Sequence, residues 1–200
     1  MTNKNLHIGI DLDGVVIDHT AKFLRIAKEL GHPLQTWQAN SNTLKHAVPK
    51  QAADIIKQRV YTEERGDEPP YPDALAVIAR IAPLATIVSV QKDPRSEPKT
   101  LAWLESHGVT KLIPADRIIF VRTREEKVRR ITALAPAYFV DDGLDVLEDL
   151  SPATIPVLFD PVDIHTRVPV AERIVVVPDW KTLAKLLDTI RHLARLASAR

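Results

Sequence analysis

Asp11 and Asp13 flank Leu12 at the end of the apolar run Leu6–Ile10, and Gly14 follows. Residues two apart on an extended chain point to the same side, so both carboxylates can face one pocket. Carboxylates held together repel, and a divalent cation offsets that repulsion. A strand-end turn is the plainer use of Asp13-Gly14, since both residue types are common in turns. A second acidic cluster, Asp141-Asp142-Gly143, follows Tyr138-Phe139-Val140, and Asp145 lies one helical turn further on. Helix N-capping would account for Asp142 or Asp145 taken singly. Acidic clusters ending two separate strands point together to a hard cation held by oxygen, Mg²⁺ rather than zinc. Ser89 closes the run Ala85–Val88 and offers a hydroxyl and a backbone N–H to a phosphate oxygen. Lys127, at the start of a helical segment, and Lys92, just past Ser89, are the candidate cations, with Arg124, Arg129 and Arg130 competing for the role.

The elements that must position these groups alternate along the chain. Runs expected to form strands are Leu6–Ile10, Ala85–Val88, Arg117–Val121, Ala137–Val140 and Ile155–Phe159, with Ile174–Val177 as a sixth candidate. They are nearly continuous apolar stretches, the pattern of strands covered on both faces. Helix-period segments lie between them at Asp73–Ile81, Lys99–His107, Glu125–Leu134, Leu144–Leu150 and Trp180–Leu196. The first is expected to bury Leu75, Ile78 and Ala79, and the second ends at Gly108, a helix C-cap. The fold class is therefore α/β: a parallel sheet with helices on both faces and ligands beyond the C-terminal strand ends. Asp11, Ser89 and Asp141 would all lie there.

Residues 15–72 break this rhythm. Two helical segments, Thr20–Leu30 and Pro49–Tyr61, are separated and followed by turn-like stretches at Gly31–Pro33, Asn40–Asn42 and Gly66–Pro72. This reads as a small helical cap over the site, with the proline-rich segment as its return hinge. Phe23, Arg25, Trp37, Lys45, Tyr61 and Arg65 are its candidates for contact with a leaving group, each also explicable as packing or solvated surface.

Basic and acidic residues balance at 27 and 26, so nothing in the bulk charge draws the chain to nucleic acid polymers or membranes. The absence of cysteine excludes disulfides, thiolate metal sites and a cysteine nucleophile. Met1–Asn5 leads into a short apolar stretch that lacks the features of a signal peptide, and no run is long enough to cross a membrane. A soluble, cytoplasmic protein is expected.

The ordered set Asp11-Leu12-Asp13-Gly14-Val15, Ser89, Lys127 and Val140-Asp141-Asp142 resembles the haloacid dehalogenase (HAD) superfamily over about residues 6–160. The paired-Asp opening and the late Asp-Asp are its specific elements. The resemblance implies a three-layer, Rossmann-like core from residues 1–16 and 72–200, with a small helical cap at 17–71 inserted after the first strand. It implies Asp11 as nucleophile, Asp13 as general acid and base, and Ser89 and Lys127 as phosphate-binding residues. Mg²⁺ would be held by Asp11, the Asp13 carbonyl and Asp141, with Asp142 in support. Family members acting on carbon–halogen or carbon–phosphorus bonds generally lack the second Asp, so Asp13 favours phosphate esters. The expected activity is Mg²⁺-dependent hydrolysis of a small phosphorylated metabolite, possible nucleotides included, through an aspartyl-phosphate. The cap and the Val140-Asp141-Asp142 ending also look like the cytosolic 5′(3′)-deoxyribonucleotidases. A phosphomutase and a non-catalytic phospho-ligand binding protein remain as alternatives, and a homodimer is left open. A response-regulator receiver fails on the order of its acidic pair and lysine, and a dinucleotide oxidoreductase is disfavoured because no G-x-G-x-x-G follows the first strand.

Overall fold

The longer apolar strands divide their side chains between two cores. In the computed structural model, which describes residues 6–62 and 68–198, Ile87, Val140 and Val157 enter one apolar cluster. Their neighbours Val88, Phe139 and Leu158 enter another. Alternation along a strand sends successive side chains to opposite faces, so a sheet covered on both sides needs continuous apolar runs. Six parallel strands result: β1 (Ile8–Ile10), β2 (Ala85–Val90), β3 (Ile118–Val121), β4 (Tyr138–Asp141), β5 (Ile155–Phe159) and β6 (Val175–Val177). Their order across the sheet is β3-β2-β1-β4-β5-β6. The order reverses direction between β1 and β4, the place where such sheets open a ligand crevice.

The helices described are α1 (Thr20–Glu29), α2 (Ser41–Ala47), α3 (Lys50–Thr62), α4 (Ala74–Ile81), α5 (Ser96–Ser106), α6 (Val109–Leu112), α7 (Arg124–Leu134), α8 (Leu144–Glu148) and α9 (Trp180–Ser198). Helices α4, α5, α6 and α9 supply buried residues to the first cluster, and α7 and α8 supply the second. The buried stripe of α4 is Ala74, Val77, Ile78 and Ile81, whereas Ala79 is exposed. That corrects the expected face, and the i, i+3, i+4, i+7 spacing explains it. Gly108 ends α5 in the left-handed region, at φ 73°, and the chain re-enters a helix at once as α6. No described helix is long and apolar enough to cross a membrane.

Helices α1, α2 and α3 bury a third cluster of their own, with Phe23, Ile26, Leu44, Ile56 and Val60 at its centre. Helix α2 was not expected. Asn40 looks like a turn residue but is its N-cap, accepting the Asn42 N–H at 2.7 Å. The two chain segments joining this lobe to the sheet run side by side. Asp18 N donates to Pro69 O at 2.9 Å and Tyr71 N to Val16 O at 2.9 Å. Met1–Asn5, Arg65 and Gly66-Asp67 lie outside the described residues.

Trp180 at the start of α9 ties the far end of the chain to the loop after β1. Its indole is fully buried, and its Nε1 donates to Val15 O at 2.9 Å. Trp180→Ala should therefore lower unfolding stability by about 3–5 kcal/mol, the usual cost of emptying a large aromatic site. Urea denaturation measures this, and a loss below about 1 kcal/mol would show that α9 does not anchor that loop.

Candidate active site

Register puts two carboxylates next to each other. Ile10 pairs with Val140 across β1 and β4, and Asp11 N donates to Val140 O at 2.8 Å. Asp11 and Asp141 thus leave neighbouring strand ends together, at the reversal of strand order. Both are buried, at 5% and 1% exposure, and so is Lys127, at 3%. The Lys127 ammonium bridges them, 2.8 Å from Asp11 Oδ1 and 2.7 Å from Asp141 Oδ2. It reaches this position because Thr123 caps α7 beside the strand ends, accepting the Glu126 N–H at 3.1 Å. A cation one turn into a helix opposes the helix dipole, so its placement depends on the two carboxylates and on the Phe139 ring, 5.6 Å away.

Asp142 brings a third carboxylate. Asp11, Asp141 and Asp142 each present an oxygen within 4.8 Å of the others. Asp142 Oδ2 accepts from Asn40 Nδ2 at 3.2 Å, and its backbone oxygen accepts from Asn42 Nδ2. Gly14 is essential to this approach: a Cβ there would lie 2.4 Å from Asp142 Oδ2, and its φ of +83° already disfavours other residues. Negative charge is in excess. Burial, then Asp141 and Asp13, push Asp11 up to about 7 against the pull of Lys127, and burial with Asp141, Asp11 and Asp13 holds Asp142 well above the usual range. Burial lowers Lys127, yet Asp11 and Asp141 outweigh it and keep the ammonium above its ordinary value.

A divalent cation fits this donor set. The ligands are all oxygen, their spacing is compatible with one ion, and the charge is uncompensated. Apart from the Lys127 ion pairs, Asp11 Oδ1 and Asp141 Oδ2 have no hydrogen-bond partner.

Asp13 sits in a separate polar shell. His19 Nε2 lies 2.8 Å from Asp13 Oδ1, while Gln91 Nε2 donates to Oδ2 at 2.9 Å and the Ser89 hydroxyl at 3.3 Å. Gln91 also donates to Ser89 Oγ at 3.1 Å and accepts from Ser96 Oγ at 2.7 Å, which fixes its amide. His19 is buried, with Glu68 Oε1 3.8 Å from its Nδ1, and Lys22 pairs with that same oxygen at 2.8 Å.

The structure brings Asp11, Asp13, Ser89, Lys127, Asp141 and Asp142 to one cavity of about 790 Å³. Lys127 is the lysine at the carboxylates; Lys92 is exposed and lines the cavity elsewhere. Asp145 pairs with Arg124 at 3.2 Å and stays outside the acidic triplet. Of the six cap candidates, only Tyr61 lines the cavity among described residues. Phe23 packs in the lobe's core, Arg25 pairs with Glu29, Trp37 stacks under Arg167, and Lys45 is exposed. The sequence reading missed His19, Glu68, Gln91, Asn40 and Asn42. Strand alternation from Ser89 would have found Gln91, and the cap signal at Asn40 would have found α2. Nothing local marks His19 or Glu68.

The chain matches no family model and no curated protein. Solved structures do match it. A haloacid dehalogenase-like protein from Agrobacterium tumefaciens superposes with a TM-score of 0.62 at 13% identity, over 93% of this chain and 99% of that one. A haloacid dehalogenase-like hydrolase from Streptococcus pneumoniae gives 0.59 at 12% identity, over 93% and 100%. A HAD hydrolase from Bacillus subtilis, bound to magnesium, gives 0.56 at 13% identity, over 92% and 100%.

Lys127→Met should cost about 3–5 kcal/mol of stability, because it strands two buried carboxylates without a counter-charge. Excess Mg²⁺ should return most of that loss. Denaturation with and without Mg²⁺ checks both; a variant as stable as the parent, or one indifferent to Mg²⁺, contradicts the charge balance described.

Proposed function

We propose that this chain, which has the haloacid dehalogenase-like fold, is a Mg²⁺-dependent phosphatase that hydrolyses a small phosphomonoester through an aspartyl-phosphate on Asp11. The observation that carries this reading is the juxtaposition of Asp11, Lys127 and Asp141 at the β1–β4 strand ends, with Asp13 in the same cavity. Asp11, Asp141 and Asp142 would hold Mg²⁺ through their carboxylates and Asp13 through its carbonyl. The ion, when bound, neutralises charge on the phosphoryl oxygens.

The Asp11 carboxylate attacks phosphorus, and the bond from phosphorus to the ester oxygen breaks as the new one forms. Asp13 protonates the leaving oxygen, which departs as an alcohol. Asp13 then takes a proton from the water that attacks the same phosphorus, releasing inorganic phosphate and restoring Asp11. His19 and Gln91 hold the Asp13 carboxyl in place through these proton transfers. Lys127 and the Ser89 hydroxyl bind the phosphoryl oxygens, supplying the electrostatic part of the catalysis. The substrate is a small metabolite, and the protein acts in the cytoplasm.

Asp11→Asn should abolish Mg²⁺-dependent release of phosphate from para-nitrophenyl phosphate. Asp13→Asn should lower kcat by about 10²–10⁴-fold, the range for loss of a general acid and base. Full turnover by the Asp11 variant would remove the nucleophile assignment. Phosphate released in proportion to ester consumed distinguishes hydrolysis from transfer within the substrate.

A further inference from the structure

The cavity lined by the buried Asp11 is also lined by residues of α3 and of the loop after β2. The outer wall is built by α3 and by the loop after β2, and it carries Lys57 and Lys92. Lys57 is half-buried and Lys92 exposed, and they come from elements far apart in sequence. Among the described residues neither ammonium has a carboxylate within 4.0 Å. Acidic residues on the same wall are engaged elsewhere: Asp93 with Arg95 at 2.7 Å, and Asp145 with Arg124 at 3.2 Å. Asp54, a turn before Lys57 on α3, is exposed and beyond ion-pair distance of both lysines.

Two ammonium groups facing one cavity without counter-ions repel, and an anion placed between them removes the repulsion. The strain is visible at Lys57. Burial first, then Lys92, lowers its pKa below the ordinary lysine value, Lys45 adds to this, and Asp54 and Asp145 oppose it. A lysine kept only for solubility would extend into water, where neither burial nor a like charge would act on it. Among the described residues the rest of the wall offers no cation free of a carboxylate partner, since Lys127 is paired with Asp11 and Asp141 and Arg124 with Asp145 and Asp149.

We propose that Lys57 and Lys92 form a second anion subsite, which takes a phosphate or carboxylate at the far end of a phosphomonoester whose reacting group sits at Asp11. The substrate class is then a doubly anionic metabolite, such as a sugar bisphosphate or a phosphorylated carboxylic acid. This rests on the reading of Asp11 as the phosphoryl-binding end. It adds that the helical lobe contributes selectivity through charge, with Lys57 from α3 and Lys92 from the loop after β2 both meeting the ligand in the cavity that they line.

Binding separates this subsite from catalysis. In an Asp11→Asn background with Mg²⁺, calorimetry would compare fructose 1,6-bisphosphate with fructose 6-phosphate, and 3-phosphoglycerate with glycerol 3-phosphate. In at least one pair the doubly anionic ligand should bind about tenfold tighter, the size of one charge-assisted hydrogen bond. Lys57→Gln and Lys92→Gln should each reduce that preference severalfold, and the double variant should erase it while leaving the singly anionic ligand unchanged. Absence of preference in both pairs, or a preference that survives the double variant, overturns the subsite. Turnover of para-nitrophenyl phosphate by the wild-type chain reports on the hydrolase reading alone, so failure of either idea is seen separately.

Discussion

One buried ammonium, held between carboxylates that outnumber it, sets the terms for the whole C-terminal edge of the sheet. Lys127 lies within 2.8 Å of Asp11 and Asp141, and Asp142 stands close by. Removing such charges from water is expensive, and their mutual attraction offsets the cost only when geometry is good. The protein meets that condition with backbone. Parallel pairing of β1 with β4 sets the two aspartates side by side, and the Thr123 cap starts α7 where its first turn faces them. Among the described residues the carboxylates still outnumber the ammonium, and their oxygens form a donor set of the kind that suits a divalent cation.

Around this centre the fold separates groups of like type by environment. Asp11 and Asp13 are two residues apart, yet Asp11 faces an ammonium while Asp13 faces an imidazole, an amide and a hydroxyl. Neighbouring carboxylates in different surroundings can take different parts in one reaction. The shell about Asp13 is itself anchored: Gln91 is fixed by Ser96, and Glu68 receives Lys22 while its backbone oxygen accepts the Trp103 indole N–H at 2.9 Å. These contacts join the sheet, helix α5 and both segments leading to the helical lobe. Movement of that lobe would therefore be felt at Asp13 through His19 and at Asp142 through Asn40 and Asn42.

Much of the fold was legible in the chain because a parallel sheet covered on both faces demands continuous apolar runs. Ile155–Phe159 and the start of β2 at Ala85 follow directly from that demand. Helix α2 was hidden because Asn serves both turns and caps, and only its neighbours decide which. The face of α4 was misread for a related reason: Ala79 is apolar and helix-forming but gains little from burial, so the larger Val77 and Ile81 take the core side.

What the sequence determined by itself was the chemistry present and its order: paired aspartates after one strand, a serine after another, then a lysine and a second acidic pair. Strand periodicity and turn residues are local signals, and local signals suffice to place such groups at strand ends. Tertiary structure alone decided which lysine meets the carboxylates, that His19 and Gln91 meet Asp13, and that Glu68 stands behind His19. It also decided that Lys57 and Lys92 line one cavity close enough for the charge of one to act on the other. Apart from His19, six residues from Asp13, those pairings join residues separated by long stretches of chain, and their energies come from distance, burial and charge. None of these quantities exists until the sheet has closed its register and the lobe has docked.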